Sequence, residues 1–213
     1  MNWALDDRYP VMPWQEIDNV VFDVGNVLLN FHPKEILAEL FPEQPELQAV
    51  LYRKCMLSPY WIAMDEGIMT PEEIVQAMTG LDRELEPQVR RVMTEWMDLK
   101  EVNEEGVAVL RKSREMGKKV YVLSNYGREA FAFMERKYDF MNLFDGKVVS
   151  AHVHQLKPGA EIFNTLRNTC GLDPARSLFI DDSYMNIEAA LREGWQGICY
   201  NAPGKLRRFF GLD

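Results

Sequence analysis

Cysteine is scarce in this chain: Cys55, Cys170 and Cys199 are the three in 213 residues. They are widely spaced, no pair shows CxxC spacing, and an odd count does not suggest a disulfide framework, so free thiols in a reducing compartment are expected. Positive charge is in deficit as well. The 24 Lys and Arg face 33 Asp and Glu, a formal net charge of -9. Such a surface repels a polyphosphate backbone, which argues against a nucleic-acid binder. Net charge does not describe a cleft, and a local cationic pocket for a small phosphate stays open. Long apolar runs are missing too, none approaching the ~20 residues of a membrane span. The first residues, Met1 to Arg8, have neither a basic n-region nor an apolar h-region. These absences predict a soluble, cytoplasmic protein with neither nucleic acid nor membrane as partner. There is no internal repeat or low-complexity tract, and 47% hydrophobic residues suffice for a packed interior. The length fits one large domain or a core with one insertion, and a monomer or a homodimer equally.

What is present is alternation. Asn19-Val20-Val21-Phe22 is an apolar run that breaks at Asp23 into Val24-Gly25-Asn26, as expected of a buried strand that delivers a carboxylate onto a loop. Val120 to Leu123 is a second such run, ending at Ser124-Asn125. Lys147 to Val149 is a short third, Ser177 to Ile180 a fourth ending at Asp181-Asp182, and Gly197 to Tyr200 a last. Helices are expected over Glu104 to Met116 with Gly117 as C-cap, Arg128 to Lys137, Glu161 to Asn168 closing near Gly171, and Asn186 to Glu193. Repeated strand–helix units predict an α/β fold: a parallel sheet with helices on both faces. From Pro33 to about Lys100 the character changes. Pro42, Pro45, Pro59, Pro71 and Pro87 punctuate short helical stretches, and no buried-strand run appears. Thr70-Pro71-Glu72-Glu73 reads as a helix start, with Thr at the N-cap and Glu at the third helical position. The expected division is a core of residues 1–32 and 101–213 with an all-helical insertion over 33–100. Residues 1 to about 16, carrying Trp3, Pro10, Pro13 and Trp14, are expected as an arm over the core.

In α/β sheets ligands bind at the carboxyl ends of the strands, and the polar residues gather there. Phosphoryl transfer from a monoester needs an in-line nucleophile and cations that hold the phosphate oxygens. Asp23 offers a carboxylate nucleophile, which forms an aspartyl phosphate and splits one hard step into two. A phosphate dianion would be repelled unless a cation screened both groups. Asp182 supplies a second carboxylate, so Mg²⁺ can bridge Asp23, Asp182 and a backbone carbonyl. Ser124 offers a hydroxyl to a phosphate oxygen, Asn125 follows on the same loop, and Lys157 adds fixed positive charge. Each has a plainer role when taken singly: Asp23 or Asp181-Asp182-Ser183 as caps, Ser124-Asn125 as a helix start, Lys157 before Pro158 as a solvated lysine. Their succession after strands favours one shared site.

These segments resemble the motifs of the haloacid dehalogenase superfamily of hydrolases. Phe22-Asp23-Val24-Gly25-Asn26-Val27-Leu28 resembles the nucleophile motif, Leu123-Ser124-Asn125 the second, Lys157-Pro158 the third and Phe179 to Asn186 the fourth. The resemblance covers about residues 18 to 200. It implies a Rossmann-like core, a helical cap inserted after the first motif, Mg²⁺ and an aspartyl-phosphate intermediate. It also implies the Gly25 carbonyl as backbone metal ligand and Asn186 in the metal's outer coordination sphere. One position departs from the pattern. Phosphatases of the superfamily usually carry a second aspartate two residues after the nucleophile as general acid and base, and here Gly25 gives a carbonyl but no proton. That help is typically worth ~10²–10⁴-fold. The Asp-x-Gly-Asn-Val form, with Asp-Asp-(Ser/Asn)-x-x-Asn-Ile in the last motif, resembles the subgroup of the bacterial α-D-glucose-1-phosphate phosphatase. A sugar leaving its anomeric phosphate needs less protonation than an ordinary alcohol.

As replacements for the missing acid, His32, His152 and His154 are each expected to be solvent-exposed. Asp181 better suits a supporting role, as second metal ligand or orienter of Lys157. Asp65-Glu66-Gly67, in the insertion, is expected as a solvated turn rather than a tip reaching the site. The expected activity is a Mg²⁺-dependent phosphatase for a small phosphorylated metabolite such as a hexose-1-phosphate. Its rivals are a metal-independent 2-haloacid dehalogenase, a catalytically silent phospho-ligand binder and a structural domain with an idle site. Adjacent Asp181 and Asp182 argue for a cation.

Overall fold

Five short strands, β1 (Asn19–Phe22), β2 (Lys119–Ser124), β3 (Gly146–Val149), β4 (Ser177–Asp181) and β5 (Gln196–Cys199), form one sheet in the computed structural model, which describes residues 12–212. The spatial order is β3-β2-β1-β4-β5 and every pairing is parallel. The helices between β1 and β2 are α1 (Pro33–Leu40), α2 (Pro45–Leu51), α3 (Pro59–Glu66), α4 (Pro71–Thr79), α5 (Glu86–Glu95) and α6 (Glu104–Glu115). After β2 come α7 (Arg128–Lys137), α8 (Ser150–Val153), α9 (Ala160–Cys170), α10 (Tyr184–Arg192) and α11 (Lys205–Phe210).

Parallel strands covered on both faces need apolar residues at successive positions, and β1 shows why. Its side chains alternate between faces. Val20 and Phe22 join Val120, Val122 and Ile180 against Val109 and Leu110 of α6, Phe131 of α7 and Leu206 of α11. Val21 points the other way, joining Leu123 and Phe179 against Ile162, Phe163 and Leu166 of α9 and Ile187 of α10. The doubly covered parallel α/β sheet expected from the sequence is the fold observed.

From Pro33 to Glu95 the regular elements are helical, where the sequence loses its strand pattern. Their interior is not closed off from the sheet. Ile36, Leu37, Leu51, Ile74, Val89 and Val92 belong to the same continuous apolar cluster as Val20 and Phe22. The helix start at Thr70 forms as its residues dictate: Thr70 Oγ1 accepts from the Glu73 amide at 3.3 Å, and the Glu73 carboxylate accepts from the Thr70 amide at 2.8 Å. Thr70→Ala is expected to remove about 1 kcal/mol of stability, seen as a lower denaturant midpoint with unchanged slope.

Two differences from expectation are local. Ser150–Val153 forms a one-turn helix, too short to carry a readable period. The helix expected from Asn186 begins at Tyr184, directly after Ser183. Trp3 and Pro10 of the expected arm lie outside the described residues. Trp14 is buried, its ring edge-on to Phe210 at 4.4 Å between centroids. Among the described residues no helix is long and apolar enough to cross a membrane.

Candidate active site

Strand register decides which loop residues meet. β1 aligns Phe22 with Val122 on one side and with Ile180 on the other. Asp23 therefore leaves the sheet between the ends of β2 and β4, beside Ser124 and Asp181. Ser124 Oγ donates to Asp23 Oδ1 at 2.6 Å. Lys157 Nζ lies 3.0 Å from Asp23 Oδ1 and 2.6 Å from Asp181 Oδ2, and donates to the Leu123 carbonyl at 2.9 Å. The lysine is thus a buried, fully engaged cation instead of a solvated loop residue, its side chain 1% exposed.

The remaining predicted residues hold this arrangement in place. Asn125 donates from Nδ2 to the Lys157 carbonyl and accepts at Oδ1 from the Lys157 amide, each at 2.9 Å. Asp181 accepts from the Ser183 amide at 2.8 Å and from Asn186 Nδ2 at 3.0 Å. Asp182, half-buried, accepts at Oδ2 from Asn26 Nδ2 at 2.8 Å. One carboxylate oxygen from each of Asp23, Asp181 and Asp182 lies within 4.8 Å of the others. Gly25 sits two residues past Asp23, and a Cβ built on it would meet nothing within 4 Å.

The electrostatics follow from three acids around one lysine. Burial raises the Asp23 pKa to about 6, with Lys157 pulling it down and Asp181 and Asp182 pushing it further up. Burial likewise raises Asp182, against the hydrogen bond from Asn26. Burial alone would lower Lys157, but Asp181 and Asp23 outweigh it and hold the ammonium above its ordinary value. Two negative charges are left uncompensated in a poorly solvated place, an unfavourable state unless a cation joins them. Hard carboxylate oxygens converging at this separation suit a Mg²⁺ ion. The donor set fits the metal. Beside it, a cavity of about 870 Å³ opens between Asn26, His32, Asn103, Asp182, Tyr200 and Arg207. It borders Asp182 but not Asp23.

Three histidines stay outside the cluster. His32, His152 and His154 are all exposed, and His154 Nδ1 lies 2.9 Å from the Glu66 carbonyl. The expectation for Asp65-Glu66-Gly67 is wrong: this is a docked segment, not a solvated turn. Ser150 Oγ donates to the Asp65 carbonyl. Gly67, at φ 72, packs so closely that a Cβ would fall 2.5 Å from the Ala151 carbonyl oxygen. Burial lifts the Asp65 carboxyl to about 8 although Lys100, the Gly127 amide and the Trp61 indole pull it down. An acidic residue before glycine reads the same in sequence whether solvated or docked.

Sequence reading also missed Asn26, Lys100 and Tyr126. Asn26 takes φ 54, a left-handed conformation asparagine tolerates better than most residues, which was the available signal. Lys100 is 6% exposed, with Nζ 4.4 Å from the Phe31 ring centroid, 4.9 Å from Tyr126 and 5.1 Å from Trp96. No spacing rule joins rings that far apart in the chain.

Comparison with known proteins agrees with the α/β fold. A family profile described as haloacid dehalogenase-like hydrolase matches residues 17–194. The sesquiterpene phosphatase AstK of Aspergillus oryzae is 20% identical over 178 residues, 84% of this chain and 87% of that protein. The crystal structure of the HAD family enzyme BT-2542 of Bacteroides thetaiotaomicron superposes with a TM-score of 0.71 at 21% identity, covering 91% of this chain and 98% of that one. The same enzyme has been crystallised with magnesium and inorganic phosphate. The L-2-haloacid dehalogenase of Xanthobacter autotrophicus gives a TM-score of 0.63 at 17% identity, covering 85% of this chain and 76% of that one. At these identities the structural likeness is one of fold.

Proposed function

Because the chain belongs to the haloacid dehalogenase-like hydrolases, we propose that it is a Mg²⁺-dependent phosphatase, cleaving a small phosphorylated metabolite through an aspartyl phosphate on Asp23. The observation that carries this reading is the convergence of Asp23, Asp181 and Asp182 beside a buried lysine. An Asp23 carboxylate oxygen attacks phosphorus, and the P–O bond to the leaving group breaks on the opposite side. The Ser124 hydroxyl and the Lys157 ammonium, both already at Asp23 Oδ1, hold the phosphoryl oxygens. Asn125 acts through Lys157, whose backbone it clamps on both sides. Asp23, Asp182 and the Gly25 carbonyl would hold Mg²⁺, with Asp181 and Asn186 supporting them. When bound, the ion would screen the phosphate from Asp23 and supply positive charge to the transition state.

The helical segment of residues 33–100 acts as a cap over the 1–32 and 101–213 core, excluding water and selecting substrate. A hexose-1-phosphate suits Gly25, since an anomeric leaving group asks less of an acid. The enzyme works in the cytoplasm, away from membranes and nucleic acid. The test is a phosphate-release screen over sugar phosphates, nucleotides and prenyl phosphates, with Mg²⁺ and with EDTA. Activity is expected with Mg²⁺ alone. Turnover of 2-chloropropionate in EDTA would instead establish a dehalogenase. Mg²⁺ at ~100 times its Kd is expected to add about 2.7 kcal/mol to stability, a rise in thermal midpoint of roughly 5–10 °C for a chain this size. An unmoved midpoint would leave an idle site.

A further inference from the structure

The proposed reaction leaves the departing oxygen without a proton donor, because Gly25 has no side chain. Lys157, Asp181 and Asp182 cluster around Asp23. In-line displacement puts the leaving group on the face of phosphorus away from Asp23.

Asp65 lies in the last turn of α3, which docks on the loops at the strand ends. Its carbonyl accepts from Ser150 Oγ, and the same Oγ accepts from the Tyr126 amide at 2.8 Å. Tyr126 is two residues past Ser124, which donates to Asp23. The preceding residue, Met64, packs so tightly on the next that a Cβ on Gly127 would lie 2.9 Å from Met64 Cγ. The last turn of α3 is thereby fixed on the loop that carries Ser124. Around it Phe31, Trp61, Trp96 and Tyr126 form a continuous run of ring contacts, 4.9–6.0 Å between centroids. The Lys100 ammonium lies over three of these rings, and no ion pair or hydrogen bond from a described residue reaches its Nζ. Burial lowers Lys100 to about 7 against the pull of the Asp23 and Asp65 charges, and burial raises the Tyr126 hydroxyl with both acids adding to it, so the enclosure lies within electrostatic reach of both carboxyls. Among the described residues the buried Tyr126 hydroxyl also has no hydrogen-bond partner.

We propose that Asp65 is the general acid and base of this site, delivered from α3 in place of the side chain that Gly25 lacks, with Lys100 as its positioning residue. The inference rests on the phosphatase reading. In the first step the Asp23 oxygen–phosphorus bond forms, the ester P–O bond breaks, and the Asp65 carboxyl proton passes to the leaving oxygen. In the second, water attacks phosphorus, its proton returns to the Asp65 carboxylate, and the Asp23–phosphorus bond breaks to release inorganic phosphate. An apolar wall favours the neutral carboxyl at rest, in keeping with its raised pKa. The Lys100 ammonium stabilises the carboxylate formed between the steps.

The experiment compares an alkyl phosphate with 4-nitrophenyl phosphate, whose leaving group needs little protonation, in single turnovers of the Mg²⁺-loaded enzyme. Asp65→Asn is expected to slow alkyl-ester cleavage by ~10²-fold or more and to leave the nitrophenolate burst within about threefold, with slow turnover after it. Its fold should survive, because an amide replaces an acid that is already neutral. Gly25→Asp in the Asp65→Asn background is expected to restore at least ~10-fold of the alkyl-ester rate, since open space lies at that Cβ. A fall of equal size for both esters, or for neither, overturns the assignment while the phosphatase reading stands. Cleavage of both esters by Asp23→Asn at the wild-type rate would defeat that reading and this one together.

Discussion

Asp23→Asn is expected to release phosphate at least ~10⁴-fold more slowly than the wild type, because on the proposed mechanism it removes the covalent nucleophile and with it the reaction path. The substitution keeps the shape of the side chain and an oxygen that can accept from Ser124 Oγ. It also takes one of three crowded acids away from the centre, where burial and the neighbouring carboxylates already hold Asp23 up at about 6. Folding should therefore be little affected while turnover is abolished, and the two are measured together as phosphate release and thermal midpoint. Mg²⁺ should bind more weakly, since Asp182 and the Gly25 carbonyl remain but one anionic ligand is gone. Residual turnover within about tenfold of the wild type would mean that water is activated elsewhere, and Asp23 would then be a metal ligand only.

The positions of these polar residues at strand ends were readable because buried parallel strands write themselves plainly. Val20-Val21-Phe22, Val120-Tyr121-Val122-Leu123 and Leu178-Phe179-Ile180 are runs with almost no exposed surface, and each stops at a polar residue. What those stops do to one another was not readable. That Asp23 lies between Ser124 and Asp181 follows from strand order and register, which no local pattern states. Asn125 could be placed on the right loop, but only coordinates show its amide engaged by the Lys157 backbone. Asp65 illustrates the limit most clearly. Its contact with Ser150 spans 85 positions of sequence, and docking of the last turn of α3 on α8 leaves no periodicity in either. The helical insertion was legible as helices through its prolines and the Thr70 cap, yet its shared interior with the sheet depends on packing at long range.

Lys157→Met should destabilise the protein most of all. The side chain is 1% exposed and its ammonium meets Asp181 at 2.6 Å, Asp23 at 3.0 Å and the Leu123 carbonyl at 2.9 Å. Methionine fills similar volume, so packing changes little and the loss is electrostatic. Removing one partner of a buried ion pair typically costs about 3–5 kcal/mol because the other charge is left unpaired, and here two carboxylates are stranded. For a chain of this size that is a fall of roughly 6–20 °C in thermal midpoint at neutral pH. The dependence on pH has a definite sign. Asp23 already titrates at about 6 with the lysine present, and without its strongest downward pull the carboxyl must rise further. An acid whose folded pKa is raised loses stability as pH climbs through that value and regains it on acidification. The deficit of the variant should therefore be full above pH ~7 and shrink below pH ~6. On the proposed reading Mg²⁺ would supply positive charge to the same oxygens, so it should raise the midpoint of the variant by more than that of the wild type, while phosphate release stays lost. Melting curves at pH 5 and pH 8, with and without Mg²⁺, separate these effects. A variant as stable as the wild type at both pH values and indifferent to the ion would mean that water, not lysine or metal, compensates the three acids.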